Sequence, residues 1–282
     1  MSQQTAEAEP RTLAPPGRRV AEVVANEALG AYRLIRARDG EGPPDPRPGQ
    51  FYMLAAAERW GGGADERPYL PRAFSFARAR RKGEGVELEF LLEEIGPGTE
   101  RLGSLEAREG LALVGPLGVG FRAGEGRQLL VGGGIGTAPI LALDDLLRED
   151  GGARPGVLLG FRSAAHAEAA ALFERPQLAT DDGSVGRAGL VTELLRERLD
   201  TDSAATVYAC GPPPMLEAVR VLCHDRGVPA QLALESGMAC GFGACFGCVV
   251  PTRQGYVRLC LEGPVLDTTE LDTALFPGAG HS

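Results

Sequence analysis

The chain has 282 residues, enough for two domains and a small appendage, and 44% of them are hydrophobic, enough to build a core. Against 38 acidic residues stand 29 basic ones, a net charge of -9, which argues against nucleic acid and anionic membrane surfaces as partners. The two longest uncharged stretches, Leu129–Leu143 and Ser236–Thr252, are interrupted by glycine and proline and fall short of the ~20 apolar residues of a membrane span. Residues 1–16 are polar and lack an apolar h-region, so a mobile tail is expected there rather than a signal peptide. Six cysteines without an export signal imply a reducing, cytoplasmic setting in which thiolates bind metal rather than pair.

From Arg18 to about Phe121 short apolar runs are separated by turns: Val20–Val24, Tyr32–Ala37, Gln50–Ala55, Ala73–Ala77, Val86–Leu92 and Leu111–Val114. Strands at this spacing predict a small antiparallel barrel over residues 17–124. One helix is expected inside it, from Thr99 to about Leu105, with Thr99 as its N-cap. Beyond Gly126 the rhythm changes. Leu129–Val131, Val157–Phe161 and Thr206–Ala209 read as buried strands; the stretch to Arg148, Leu190–Arg198 and Pro213–Asp225 read as helices. That alternation predicts a parallel-sheet α/β domain over residues 125–229. Residues 230–270 are expected to form a third, cysteine-bearing subdomain, and 271–282 a second tail.

Four of the six cysteines carry the chemistry. Cys240, Cys245 and Cys248 form a C-x4-C-x2-C run, and Cys260 follows after a short strand-like stretch. This is the plant-type spacing for a [2Fe–2S] cluster on four thiolates. The plainer readings are a structural zinc site, which usually shows two C-x2-C pairs, or a disulfide.

The remaining motifs are weaker one by one. Gly132, Gly133, Gly134 and Gly136, with Thr137 and Pro139, lie between a strand and a helix, where a dinucleotide pyrophosphate meets backbone N–H groups. The run departs from G-x-G-x-x-G at Thr137, and a tight strand-to-helix turn explains it equally well. Arg72-Ala73-Phe74-Ser75 places a cation and a hydroxyl around an aromatic ring, which suits a flavin nucleotide but also an ordinary surface strand. Cys210-Gly211-Pro212 ends a parallel strand, so the thiol of Cys210, the candidate catalytic residue, is expected at the ligand-binding edge of the sheet. Its plain reading is a buried core cysteine, which is also how Cys223 reads.

In order along the chain, these motifs resemble the ferredoxin–NADP reductase superfamily, from Arg18 to Asp267. The stretch Glu235-Ser-Gly-Met-Ala-Cys-Gly-x-Gly-Ala-Cys, closed by Cys260-Leu-Glu-Gly-Pro-Val, is similar to the electron-transfer subunits of class 1B dihydroorotate dehydrogenase. The resemblance implies FAD held by Arg72–Ser75, by the strand end Leu91, Leu92 and Glu93, and by Gly98 and Thr99. NAD(H) would meet Gly132–Pro139 and Cys210–Pro212, and the four cysteines would hold the cluster. Ala73 stands where the family often has proline. Arg162 follows the second strand, where a cation could meet a 2′-phosphate, which leaves the family's usual NADH preference open. An FMN-bearing dihydroorotate dehydrogenase catalytic subunit is the implied partner, in a heterotetramer of two plus two. Two other readings keep part of this: a reductase subunit of a hydrogenase or of a ferredoxin-dependent NADPH oxidoreductase, and a zinc-stapled binding module without redox function.

Overall fold

The computed structural model describes residues 11–15, 17–62, 69–124, 126–149, 154–201 and 204–276. Seven antiparallel strands form the N-terminal half-barrel: β1 (Arg19–Leu29), β2 (Tyr32–Asp39), β3 (Phe51–Ala56), β4 (Arg72–Ser75), β5 (Arg78–Lys82), β6 (Gly85–Leu92) and β7 (Gly110–Leu117). Their order in the sheet is β4-β3-β7-β1-β2-β6-β5. The period-two rule explains what this sheet does with its two faces. Tyr52, Leu54 and Ala56 of β3 and Leu88, Phe90 and Leu92 of β6 fill the barrel interior. The alternate residues Phe51, Met53 and Leu91 belong to clusters shared with the C-terminal half, so both strands are buried throughout. Each such side chain contributes roughly 1.5–3 kcal/mol when fully buried.

A buried ion pair ties three of these strands together. Arg19 donates from Nε and Nη2 to Asp39, with Nη2 to Oδ2 at 2.8 Å, and from Nη2 to the Gly115 carbonyl at 2.7 Å. Strand β5 was not anticipated. Its sequence, Arg-Ala-Arg-Arg-Lys, has no apolar alternation, and it is held by pairing with β6 and by Arg80 on Glu89 at 2.6 Å. The barrel helix α1 spans Pro97–Gly103, two residues earlier than expected. Thr99 is therefore not its N-cap but its third residue, whose hydroxyl accepts from the N–H groups of Ile95 and Gly96 at 2.9 and 3.1 Å. Proline at the first helical position accounts for the earlier start.

The second sheet contains β8 (Arg127–Gly133), β9 (Gly156–Phe161), β10 (Gln177–Thr180), β11 (Arg187–Ala188), β12 (Ala205–Cys210) and β13 (Ala230–Ala233). Between them run α2 (Thr137–Glu149), the short α3 (Ala164–Ala167), α4 (Val191–Thr201) and α5 (Pro213–Arg226). The hairpin β14 (Val249–Thr252) and β15 (Gly255–Arg258) follows, and β16 (Val265–Asp267) returns to the sheet. Its order is β11-β10-β9-β8-β12-β13-β16, parallel except for β16 against β13. The strand order reverses between β8 and β12, so a crevice opens at their carboxyl ends.

This topology moves two expected boundaries. Ala230–Ala233 and Val265–Asp267 are strands of the α/β sheet, so the cysteine segment is an excursion between them and does not begin at residue 230. Residues 271–276 are no tail either: Leu271, Ala274 and Phe276 are buried in the core, and Glu217 of α5 accepts from the Ala274 N–H at 2.6 Å. Of the N-terminal tail, Arg11 and Thr12 are hydrogen-bonded to Leu261 and Gln50, while residues 1–10, 16 and 277–282 lie outside the described residues. Among the described residues no helix is long and apolar enough to cross a membrane.

Candidate redox centre

Three adjoining cavities lie where the half-barrel meets the carboxyl ends of the parallel strands. The first, about 540 Å³, is bounded by Gly133 and Gly134 at the end of β8, Arg162 after β9, Pro212–Met215 at the start of α5, and Tyr32 and Glu93 of the barrel. The second, about 100 Å³, lies between Phe74, Ser75 and Leu91 on one side and Gly136, Pro139 and Cys210 on the other. The third, about 460 Å³, runs past Arg72, Gly96 and Thr99 to Ala239 and Gly247 of the cysteine loop. Ile135 borders all three, Glu235 joins the first to the second, and Phe74 and Met238 join the second to the third. The result is one trough from the crevice of the parallel sheet to the cysteines.

Sequence-distant turns form its walls. A Cβ on Gly136 would stand 2.5 Å from the carbonyl of Cys210 and 2.6 Å from the nitrogen of Gly211. Only glycine lets the β8–α2 turn lie against the β12–α5 turn. In the same way a Cβ on Gly98 would be 2.8 Å from Nη2 of Arg72, so the absence of a side chain seats the guanidinium over the start of α1. That pairing concentrates positive potential, as a diphosphate requires.

Not every expected residue faces the trough. Leu92 is fully buried in the barrel interior, because β6 alternates and Leu91 takes the outward position. Gly132 is buried behind the turn, and the Thr137 hydroxyl donates to the Gly134 carbonyl at 2.9 Å, bracing the turn from inside. Arg162 meets Glu93 Oε1 at 2.6 Å, and His166 approaches the same oxygen at 3.4 Å. Cys210 is buried; burial and the neighbouring Glu235 charge push its thiol well above its ordinary value. It remains uncharged near neutrality and so is not poised as a thiolate nucleophile. Glu235, Ser236 and Met238 belong to the stretch that carries the family resemblance, but the sequence reading gave them no place in the site. The signals that could have placed them are that motif and their position, directly after the strand Ala230–Ala233 at the sheet's ligand edge.

The cysteine loop is built for sulfur ligation. Gly241 and Gly243 adopt φ of 79° and 84°, and Phe246 sits at 59°, left-handed turns that fold the chain back on itself. The Cys245 N–H points at Cys240 Sγ at 3.4 Å, and the Gly247 N–H points at Cys245 Sγ at 3.4 Å. Burial opposes the Cys240 thiolate, but backbone N–H groups of Cys245, Phe242 and Ala244 outweigh it and bring the thiol down to about 7. Cys248 and Cys260 are both buried, unbonded, with their sulfurs 3.2 Å apart. Burial and the Cys248 sulfur push Cys260 up to about 12, so two thiolates this close require a cation between them. Among the described residues no three His, Cys, Asp or Glu side chains converge on a single ion. Cys240 and Cys245 are linked through the Cys245 N–H, and Cys248 lies against Cys260; with the C-x4-C-x2-C spacing, these four thiols match the ligand set of a [2Fe–2S] cluster.

Comparison with known proteins agrees with this geometry. The family model for the iron-sulfur cluster binding domain of dihydroorotate dehydrogenase B matches residues 235–272. A dihydroorotate dehydrogenase B (NAD(+)) electron transfer subunit of Clostridium acetobutylicum is 34% identical over 251 residues, covering 85% of this chain and 94% of that one. This chain belongs to the dihydroorotate dehydrogenase B electron transfer subunit family. A homolog of that subunit from Aquifex aeolicus is 36% identical, with 89% and 97% covered, and the Geobacillus thermodenitrificans subunit is 39% identical, with 79% and 86% covered. Among solved structures, that of an NADH-dependent reduced ferredoxin-NADP oxidoreductase superposes with a TM-score of 0.74 at 24% identity, over 92% of each chain. A ferredoxin NADP+ reductase from Neisseria gonorrhoeae gives 0.55 at 18%, over 74% of this chain and 92% of that one. These last two likenesses extend the family's fold to the ferredoxin reductases.

Proposed function

We propose that this chain is the electron-transfer subunit of a dihydroorotate dehydrogenase, passing electrons between NAD(H) and an FMN-bearing catalytic subunit, through FAD and a [2Fe–2S] cluster. The observation that carries this reading is the continuous trough from the sheet crevice to the cysteine loop, because electron transfer needs cofactors in series. FAD supplies the exchange between hydride and single electrons, and the cluster supplies the one-electron relay.

The residues then have distinct tasks. Arg72 and the N-terminus of α1 with Gly98 and Thr99 hold the flavin diphosphate, and Ala73, Phe74, Ser75, Leu91 and Glu93 shape the flavin bed. The turns at Gly133–Gly136, with Pro139, and at Cys210–Pro212 receive the nucleotide. Glu93 offsets the charge of Arg162, which leaves a 2′-phosphate without its cation and favours NAD(H) over NADP(H). Cys240, Cys245, Cys248 and Cys260 ligate the cluster. Four thiolates on a partly exposed loop suit a reducing compartment, and we place the protein in the cytoplasm.

Purified anaerobically, the protein is expected to contain one FAD and one [2Fe–2S] cluster. Cys245→Ser should remove cluster absorbance and labile sulfide while FAD stays bound, since Arg72 and α1 lie on the barrel. A colourless protein that holds zinc would overturn the redox reading; full iron and sulfide in Cys245→Ser would overturn the ligand assignment.

A further inference from the structure

Electrons pass between two redox groups at a rate that falls steeply with the gap separating them. The relay proposed above, on which this inference rests, therefore needs its cysteines held at a fixed distance from the flavin barrel. Cys240, Cys245 and Cys248 share one loop, but Cys260 is carried by a separate arm, 260–264, that leads the chain back to β16. Leu261 of that arm underlies the loop: a Cβ on Gly243 would stand 2.5 Å from Leu261 Cδ1. Whatever fixes the arm to the barrel thus fixes Cys260 and the loop together.

Gln50 stands immediately before β3 and is completely buried. Its carboxamide makes four hydrogen bonds. Oε1 accepts from the N–H groups of Thr12 and Arg47 at 3.1 and 3.0 Å, and Nε2 donates to the carbonyls of Thr12 and Gly118, each at 3.0 Å. That uses both donors and both acceptor sites of the amide.

Two clamps on the arm lead away from these partners. On one side, Arg11 precedes Thr12, and its Nη2 donates to the Leu261 carbonyl at 2.9 Å. On the other, Val119 follows Gly118, and its N–H donates to the Gly263 carbonyl. The two clamped carbonyls flank Glu262. Gly49, the neighbour of Gln50, closes on the end of the arm, where a Cβ would stand 2.8 Å from Val265. Leu13 is 75% exposed, so pairing with Gln50, and not apolar burial of Leu13, seats residues 11–13 on the barrel. A buried carboxamide is costly unless its groups are paired, which makes this seating specific.

We propose that Gln50 is a positioning residue of the relay, clamping the Cys260 arm to the flavin barrel at two carbonyls, through Arg11 on one side and through Val119 on the other.

The test compares the holoprotein with three variants. Gln50→Met keeps the volume and removes all four pairings, Arg11→Met removes one clamp at the surface, and Arg11→Lys restores a donor there. Amide hydrogen exchange is followed in peptides covering the arm, with β2 and β6 as the barrel reference. Opening of the arm is expected to rise about fivefold in Arg11→Met, the net worth of one hydrogen bond, and roughly 25-fold in Gln50→Met, the worth of two. Exchange in β2 and β6 should stay unchanged, and Arg11→Lys should return the arm most of the way. Iron release to a chelator should accelerate in the same order. The EPR signal of the reduced cluster should broaden as Cys260 samples more positions. Flavin reduction by NADH in a single turnover should be unaffected, while transfer onward to the cluster slows. Unchanged arm exchange in folded Gln50→Met, or in Arg11→Met, overturns the proposal. So does an acceleration shared equally by β2 and β6, which makes Gln50 ordinary support of the barrel. If Gln50→Met does not fold, the two Arg11 variants decide. A protein that carries zinc and no flavin overturns the relay itself, whatever the exchange shows, and leaves Gln50 no electron transfer to serve.

Discussion

Arg72 shows how a single residue acquires meaning from its surroundings. In sequence it is one arginine in a short strand; in the fold its guanidinium rests over Gly98 at the start of α1, facing a cavity of about 460 Å³. A charge-assisted hydrogen bond to a phosphate contributes roughly 1.5–3 kcal/mol. Arg72→Ala is therefore expected to weaken FAD binding about ten- to hundredfold, measured by flavin retained after dialysis and by titration of the apoprotein. Unchanged retention would remove Arg72 from the diphosphate site. The four cysteines were legible in advance because their chemistry is local: three ligands lie within nine residues of chain, and spacing alone limits what they can hold. The place of Glu235 in the site was not legible. Burial pushes its carboxyl up to about 7, and the walls that bury it come from the barrel, from β12 and from α5.

At the scale of elements, charge decides what hydrophobic patterning leaves open. Strand β5 was invisible to a search for apolar alternation, because its lateral partners are acidic residues of β6, with Arg78 opposite Glu89 and Arg80 opposite Glu87. Such a charged edge also resists pairing with other chains. The barrel depends on the buried Arg19–Asp39 pair in the same way. Asp39→Ala leaves the Arg19 guanidinium uncompensated and should cost about 3–5 kcal/mol, read as a lower denaturation midpoint; a change below 1 kcal/mol would show that water reaches Arg19. The C-terminal segment is docked by Glu217. Its carboxylate accepts from Arg220, from the Ala274 N–H and from Thr273. Arg220 first, then the Ala274 N–H, outweigh burial and hold it down to about 2. A carboxylate lowered by folding stabilises the protein above its unfolded pKa, and that stability is lost as pH falls from about 4.5 toward 2. With partial solvent screening the contribution is about 1–2 kcal/mol. Glu217→Gln should lower stability by that amount at pH 7 and by almost nothing at pH 2. An equal loss at both pH values would assign the effect to packing.

At the scale of the whole molecule, the parts are arranged to pass electrons outward. The trough ends at the cysteine loop, and that loop presents Phe242 and Phe246, 60% and 62% exposed. The Arg258 guanidinium lies 5.2 Å from the centre of the Phe246 ring and donates to the Gly243 carbonyl at 3.2 Å, which holds the loop in this form. Two aromatic rings beside a redox group suit a lasting interface better than open water. The described residues are fully used by an antiparallel half-barrel, one parallel sheet and the cysteine excursion. None of them forms the (β/α)8 barrel of about 250 residues expected of a dihydroorotate-oxidising subunit. This division of labour was readable from the order of motifs, but the path between them was not, since the trough depends on Gly136 meeting Cys210 and on Met238 lining cavities formed by the barrel. The chain alone is expected to oxidise NADH with ferricyanide and to leave dihydroorotate untouched. Mixed with an FMN-bearing dihydroorotate dehydrogenase subunit from the same source, it should form a stable complex that reduces NAD+ with dihydroorotate. Loss of an aromatic anchor at such an interface costs about 2–4 kcal/mol, roughly 30- to 1000-fold in affinity. Phe242→Asp should therefore dissociate the complex and abolish dihydroorotate-driven NAD+ reduction, while the NADH–ferricyanide activity and the cluster spectrum persist. If the complex forms and the dihydroorotate reaction is absent, the partner is a different one-electron carrier, and the hydrogenase or ferredoxin reading takes its place.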